Sequence, residues 1–395
     1  MFKSTNHICP NCNATCMFIF YKVQNVPINS CLMFSNGAEA KKFPLGDVNL
    51  AFCKNCGFIS NIAFESSKVD YAKLAPEEQG FSATFNTYAQ RLANRLIQTY
   101  KLRNKHVSEI GCGRGDFLAL LCKLGNNYGV GIDPSNVSGV MNGTPSTRLK
   151  FIHDYYSERY AKNLGDFLCC RHTLEHIPNT AEFVNSVRSA LPADNAYVFF
   201  EVPDVSRILH EVAFWDIYYE HCSYFSLGSL ARLFRSCRFE VTNLMKDYFD
   251  QYLLIEAKPV NEKSNRVYEK EERVEDMEKN VKIFSAKSQS KIHQWKNKLE
   301  KIKLEKKKAI VWGSGSKCVA FMTTIDVKDE IEYIVDINPH RHGKFIPGVG
   351  KQIVPPEFLK EYKPDIVIVM NPVYCDEIKR DLETMGVVAE IVSCV

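Results

Sequence analysis

The sequence predicts an α/β protein built on two separate parallel sheets, and three observations carry that reading. Short apolar runs alternate with helical stretches across residues 65–260: VSEIG, GVGID, DFLCC, AYVFFEV and QYLLIEA. The alternation restarts at Ala309 with AIVWGSGS, EYIVDIN and DIVIVMN. Continuous apolar strands interleaved with helices signal parallel sheets covered on both faces. The first strand of each set also runs straight into a glycine turn and then a helix, which points unpaired backbone N–H groups at a ligand.

Between the two sets, residues 261–308 contain neither Gly nor Pro. Apolar residues recur there at Val267, Val274, Met277, Val281, Phe284, Ile292, Trp295, Leu299 and Ile302. Steps of three, four and seven place them on one stripe of a long helix. From Glu262 to Lys308 there are 15 Lys/Arg against 9 Asp/Glu, while the whole chain carries +4, so the remainder is slightly acidic. That excludes a protein-wide basic field for nucleic acid, and the lysines read as the solvated face of the helix. Contact of that face with RNA phosphates is the alternative.

The 395 residues are 45% hydrophobic and 24% charged, a globular composition with material for more than one core. Four regions follow: residues 1–64, a cysteine-rich module; 65–260, the first α/β domain; 261–308, the charged helix; and 309–395, the second α/β domain. The opening MFKSTNHICP has no apolar leader core, and no run approaches a membrane span. A soluble cytoplasmic protein with reduced thiols and no membrane partner is expected.

Cys9-Pro-Asn-Cys12 and Cys53-Lys-Asn-Cys56 each put two thiolates on a tight turn, suited to one edge of a tetrahedral zinc site. Gly57 follows the second pair, where the knuckle needs an unusual turn. His7, Cys16 and Cys31 are possible substitutes in the ligand set. Four thiolates leave no open coordination position, so the zinc would be structural.

In the first glycine loop, Glu109-Ile-Gly111-Cys-Gly113-Arg-Gly115, acid flanks the turn, and Asp133 ends the next strand. A carboxylate there can accept hydrogen bonds from ribose hydroxyls at the switch point of an open sheet. The pattern resembles the first motif of class I S-adenosylmethionine (SAM) methyltransferases. The resemblance implies that Glu109, Gly111 and Gly113 line the methionine and ribose end, with Asp133 on the ribose. It puts Asp154, after the next strand, near the adenine amino group. Phe81, Phe85 and Tyr88 would cover the cofactor, and FEVTNLMKDYF with QYLLIEA would close the sheet as an antiparallel pair.

Two histidine segments follow. Arg171-His172-Thr-Leu-Glu175-His176 sits after the strand DFLCC, at the ligand-binding edge. It reads as a floor beneath the reacting groups; a metal or a purely structural His172 are the alternatives. The later insertion concentrates Trp215, Tyr218, Tyr219, Glu220, His221, Tyr224 and Phe225. Glu220 and His221 are costly to bury without partners, and an imidazole can take a proton from carbon or oxygen near neutral pH.

Together the cysteine pairs, EIGCGRG, the Tyr218-Tyr-Glu220-His221-Cys-Ser-Tyr224 segment and the second α/β unit resemble the zinc-containing sugar C-methyltransferase family, which acts on nucleotide-linked keto-sugars. The resemblance implies a class I SAM methyltransferase sheet between an N-terminal zinc-binding module and a C-terminal Rossmann-like α/β domain, joined by a long helix. It implies His221 as base, with Tyr218 and Glu220 assisting and His176 steering the substrate, and no metal in the chemistry. The C-terminal domain would help hold the nucleotide. There the loop reads Gly313-Ser-Gly315-Ser-Lys317-Cys318 and departs from the family's version, although Asp336 stands 21 residues beyond Gly315. Tyr224, Gly313, Gly315 and Lys317 are the substrate-binding candidates, with the loop N–H groups and Lys317 meeting a diphosphate. NAD or no ligand at all are the other readings of this loop. O-methylation, RNA methylation and a non-catalytic SAM-binding scaffold are the alternative functions.

Overall fold

The computed structural model describes residues 3–73, 80–135, 140–141, 144–145, 148–191 and 196–395. In the N-terminal module, strands β1 (Met17–Pro27), β2 (Leu45–Cys53) and β3 (Ile59–Asn61) form an antiparallel sheet.

The central domain contains β4 (His106–Ile110), β5 (Tyr128–Asp133), β6 (Leu149–His153), β7 (Phe167–Arg171) and β8 (Tyr197–Pro203). The insertion supplies the two-residue β9 (Ser223–Tyr224), and β10 (Phe239–Asp247) and β11 (Tyr252–Pro259) complete the set. The order is β10-β11-β8-β7-β4-β5-β6, with β11 antiparallel between β8 and β10 and the other neighbours parallel. This is the class I SAM methyltransferase sheet, and the expected antiparallel closing pair is present. Two helices flank the cofactor edge. Helix α1 (Ala83–Tyr100) is capped by Ser82, and α2 (Asp116–Gly125) begins directly after Gly115.

The second α/β unit consists of β12 (Ala309–Trp312), β13 (Tyr333–Val335), β14 (Gln352–Val354), β15 (Ile366–Val369) and β16 (Glu390–Ser393). They lie in order β14-β13-β12-β15-β16, all parallel, as a Rossmann-like sheet requires.

Helix α3 (Val274–Leu304) has 31 residues, about 46 Å at 1.5 Å per residue. Its buried face comprises Met277, Val281, Phe284, Ser288, Ile292, Trp295, Leu299 and Ile302. Val267 matches the periodicity, yet it lies before the helix and is 69% exposed. Burial of each large apolar side chain on this stripe contributes about 1.5–3 kcal/mol. The helix is more than a connector. One continuous core joins Phe20 and Tyr21 of the N-terminal module, Phe214 and Trp215 of the insertion, the α3 stripe, and Phe321 and Ile334 of the C-terminal unit. The stripe positions are therefore held from three sides. Among the described residues, no helix is long and apolar enough to cross a membrane.

Candidate active site

The carboxyl ends of the central strands and the C-terminal glycine loop face one another across a cleft of about 1250 Å³. On the first wall, Gly111, Gly113 and Gly115 have φ of +68°, +51° and +81°, the left-handed region that favours glycine. A Cβ on Gly111 would lie 1.9 Å from Thr173 Oγ1, so the turn has no space for a side chain. The Gly113 N–H donates to Asp133 Oδ2 at 2.8 Å, and the Ser135 N–H donates to Asp133 Oδ1 at 2.8 Å. Asp133 thus fastens the turn that it was expected to complement, and it still lines the cleft.

Glu109 is buried at the same wall, and its Oε2 has no hydrogen-bond partner. Burial, partly offset by Arg171, raises its pKa to about 8. An orphaned buried carboxyl oxygen beside a side-chain-free glycine cradle fits a ligand that brings its own donors. The amino group and ribose hydroxyls of SAM have that chemistry. Asp154 sits elsewhere: its carboxylate pairs with Arg159 and accepts from the Tyr160 hydroxyl, and it is not part of the cleft lining. Of the predicted cover, Phe81 and Phe85 line the cleft, while Tyr88 packs behind them against Tyr248 and Tyr252.

Beneath the cleft lies the expected floor, and its charge is organised by Glu201 on the neighbouring strand β8, outside the segment that was read as the floor. Arg171 Nε donates to Glu201 Oε2 at 2.8 Å, and His172 Nε2 lies 3.0 Å from Glu201 Oε1. Burial opposes the charge on His172, but Glu201 and Glu175 outweigh it and raise its pKa to about 9. Burial likewise opposes ionisation of Glu201, and Arg171 with His172 overcomes it, holding Glu201 near 2. His172 has φ +47°, an uncommon conformation for a non-glycine residue at a functional edge. It is a cationic floor group, consistent with the structural reading.

The insertion brings His221, Tyr218 and Glu220 to the cleft. The His221 ring is 4.3 Å from Tyr218 and 4.8 Å from His176, centre to centre. No hydrogen bond to its ring nitrogens is found among the described residues. Burial, reinforced by His176, His172 and Lys317, holds its pKa well below the usual imidazole range, so it is neutral at pH 7. Glu220 points the other way, into the N-terminal module, where its Oε1 accepts from the Ser30 N–H at 2.9 Å and from the Ser30 hydroxyl. His176 Nδ1 lies 3.1 Å from the Glu220 carbonyl oxygen, which it can meet only as a donor, and 3.2 Å from the Tyr71 hydroxyl.

Strand β9 extends the N-terminal sheet, pairing Ser223 with Ser60 and Tyr224 with Ile59, and the Asn61 N–H donates to Cys222 O at 2.9 Å. The segment after His221 is therefore a strand of the cysteine-rich module. This corrects the expectation for Tyr224, which is buried with its hydroxyl on the Tyr218 carbonyl and does not line the cleft.

On the far wall, Gly313 and Gly315 line the cleft. Ser314 N–H donates to Asp336 Oδ2 at 2.8 Å, and Arg341 Nη1 donates to Ser314 Oγ at 3.1 Å. Lys317, expected on a diphosphate, is paired with Asp216, which also pairs with Arg207. The lysine is committed to holding the insertion, and Arg341 reaches the loop while also standing 3.6 Å from Asp336 Oδ2.

In the cysteine module, Cys9, Cys12, Cys53 and Cys56 form one cluster able to hold a metal. Their sulfurs are 3.7 Å apart for Cys9 and Cys56 and 3.6 Å apart for Cys12 and Cys53. A tetrahedral ion with metal–sulfur bonds of about 2.3 Å has sulfur–sulfur edges of about 3.8 Å, so the set fits such an ion. Gly57 takes φ +75°, as the knuckle demanded. Cys16 Sγ stands 3.9 Å from Cys53 Sγ beside the set, Cys31 Sγ contacts Ser316 Oγ at 3.1 Å, and His7 is exposed.

Comparison with known proteins agrees with this geometry. A methyltransferase domain family matches residues 82–244, and a C-methyltransferase C-terminal domain family matches residues 253–389. C-methyltransferase NovU of Streptomyces niveus is 29% identical over 297 residues, covering 71% of this chain and 70% of that protein. The chain is similar to C-methyltransferases over both of its α/β units. It is a SAM-dependent methyltransferase; the first match runs from α1 into β10, and the second begins in β11 and ends before β16. Among solved structures, 1,6-didemethyltoxoflavin-N1-methyltransferase of Burkholderia thailandensis is 14% identical, covering 47% of this chain and 94% of that chain at a TM-score of 0.34. Magnesium protoporphyrin IX methyltransferase of Synechocystis is 16% identical, covering 45% and 84% at 0.33.

Proposed function

We propose that this C-methyltransferase acts on a nucleotide-linked keto-sugar, with His221 as the base that removes a proton from the carbon beside the ketone. The observation that carries the reading is the position of His221, a neutral imidazole in the cleft between the glycine loop of the cofactor wall and the glycine loop of the C-terminal wall.

Glu109, Gly111, Gly113 and Asp133 would hold SAM, which supplies an electrophilic methyl group, so that a C–CH₃ bond forms as the S–CH₃ bond breaks. His221 accepts the carbon-bound proton, and the electron pair is left shared between that carbon and the ketone oxygen. Tyr218, its ring tilted at 55° against the imidazole, limits its rotation. Glu220, anchored on Ser30, fixes the backbone from which His221 projects. His176, oriented by the Glu220 carbonyl, offers its other nitrogen toward the developing oxyanion. General-base catalysis of this kind is typically worth about 10²–10⁴ in rate.

The C-terminal wall would hold the nucleotide, with Gly313, Gly315 and Arg341 nearest the diphosphate. Zinc is the ion this reading assigns to the four cysteines, in a structural role. A reducing cytoplasmic setting belongs to the same reading, because a thiolate set keeps its metal only while its thiols stay reduced.

The test is incubation of the protein with methyl-labelled SAM and a nucleotide-linked keto-sugar, with products resolved by mass spectrometry. Methyl on the carbon next to the ketone, lost by at least a hundredfold in His221→Ala, is the expected result. Methyl on oxygen, or undiminished labelling by the variant, would overturn it.

A further inference from the structure

Glu175 is 98% buried at the cleft floor, and its Oε2 has no hydrogen-bond partner. Its other oxygen lies 3.6 Å from His172 Nδ1. The role assigned to His221 makes no use of Glu175, and a buried carboxyl oxygen without a donor is costly to leave that way. One ligand atom each from Glu175, His176 and His221 lies within 4.8 Å of the others. We propose that these three residues form a second metal site, for a divalent transition-metal ion, whose occupancy inhibits the enzyme.

The donor set supports the class of ion. Two imidazoles and one carboxylate suit zinc, cobalt or nickel and leave a fourth position open to the cleft. The surroundings resemble the outer shell of known metal sites. A metal-bound histidine usually donates its other ring N–H to a carbonyl or carboxylate, and His176 does so through Nδ1 to the Glu220 carbonyl. Glu175 is oriented by His172, whose charge is paired with Glu201. Both imidazoles are half-buried at the cleft surface, and a tetrahedral ion would draw the three donors from within 4.8 Å to roughly 3.3 Å of one another.

Inhibition follows from the lone pair. The His221 nitrogen that would accept a proton is the one that would bind the ion, so metal and base exclude each other. That consequence rests on the proposed role of His221; the site itself does not.

Protein carrying zinc at its four cysteines would be titrated with Co²⁺ and followed by visible absorption and by methyl transfer. The expected result is one equivalent of cobalt showing d–d bands without the strong sulfur-to-cobalt band that cysteine ligands give. Glu175→Gln and, separately, His176→Ala should each weaken that binding at least tenfold while zinc content stays unchanged. Methyl transfer should fall in step with cobalt occupancy and recover on dialysis. Absence of the bands, or equal binding by Glu175→Gln, overturns the site. Cobalt bound by these residues with unchanged or increased turnover overturns inhibition. Failure of the base assignment shows separately, as undiminished turnover of His221→Ala in metal-free buffer.

Discussion

The two glycine loops are built on one plan and differ in what they leave available. In the central unit the Gly111 N–H closes onto Ile132 O, the Gly113 N–H onto Asp133 Oδ2 and the Ser135 N–H onto Asp133 Oδ1. In the C-terminal unit Gly313, Ser314 and Asn338 make the same three bonds, to Val335 O and to the two oxygens of Asp336. Beyond this frame they diverge. The first loop carries three glycines at positive φ and opens onto a helix with Asp116 in its first turn. The second has positive φ only at Gly313, fills the turn with the Ser314 side chain, and places Lys317 in the first turn of its helix. A crowded, side-chain-free cradle with acidic neighbours suits a ligand bearing a cationic amino group. A roomier loop with Arg341 beside it, and Lys317 turned away onto Asp216, has one guanidinium to offer an anion. One frame, recoloured by a few side chains, thus presents a different charge at each wall of the cleft.

The largest expected contrast comes from adding one methyl group to each loop. Gly111→Ala drives a Cβ into Thr173, and SAM affinity should fall at least a hundredfold in calorimetry. Gly313→Ala meets no atom within 4 Å, so only its φ of +99° opposes the change. A cost of about 1–2 kcal/mol in stability with SAM affinity unchanged is expected there. Equal loss of SAM binding in both variants would erase the distinction.

A smaller effect is expected at the link between loop and insertion. Lys317→Ala should lower stability by less than the roughly 3–5 kcal/mol cost of breaking a buried pair, because Arg207 still faces Asp216. Chemical denaturation measures this directly. Sugar-nucleotide affinity should drop less than in Arg341→Ala, since the lysine is already committed. Ser30→Ala should reduce kcat several-fold with little change in SAM affinity, because it loosens Glu220 from outside the cofactor wall.

A separate prediction is a pH dependence that originates in the first loop. The Glu109 pKa is raised on folding, from 4.5 to about 8. The unfolded chain releases that proton first, so the folded apoprotein loses stability as pH rises from about 4.5 to 8. Thermal unfolding of Glu109→Gln should show a flatter profile across that window. An identical slope would mean that the carboxyl is already ionised in the folded protein.

Much of this was legible before any coordinates. Buried apolar strands and glycine turns gave both sheets, and the i, i+3, i+4 stripe gave the long helix, apart from Val267. The cysteine cluster and the Gly111 turn were legible because each motif declares its own local geometry, two Cys-x-x-Cys turns and a glycine between strand and helix. What could not be read depends on distant pairings. Ser30 reaches Glu220 across 190 residues, and Lys317 reaches Asp216 across 101. Tyr224 has the composition of a binding residue, but a two-residue strand pulls it into the cysteine-rich module. Neither periodicity nor spacing records such contacts.

The central claim is that His221 removes a proton from the substrate carbon. Its most direct test needs no methyl transfer: the keto-sugar nucleotide is incubated in D₂O with the protein and S-adenosylhomocysteine, and deuterium entering that carbon is followed by NMR. Exchange by the natural protein that falls at least a hundredfold in His221→Ala is the predicted result. Exchange that persists in the variant would contradict it.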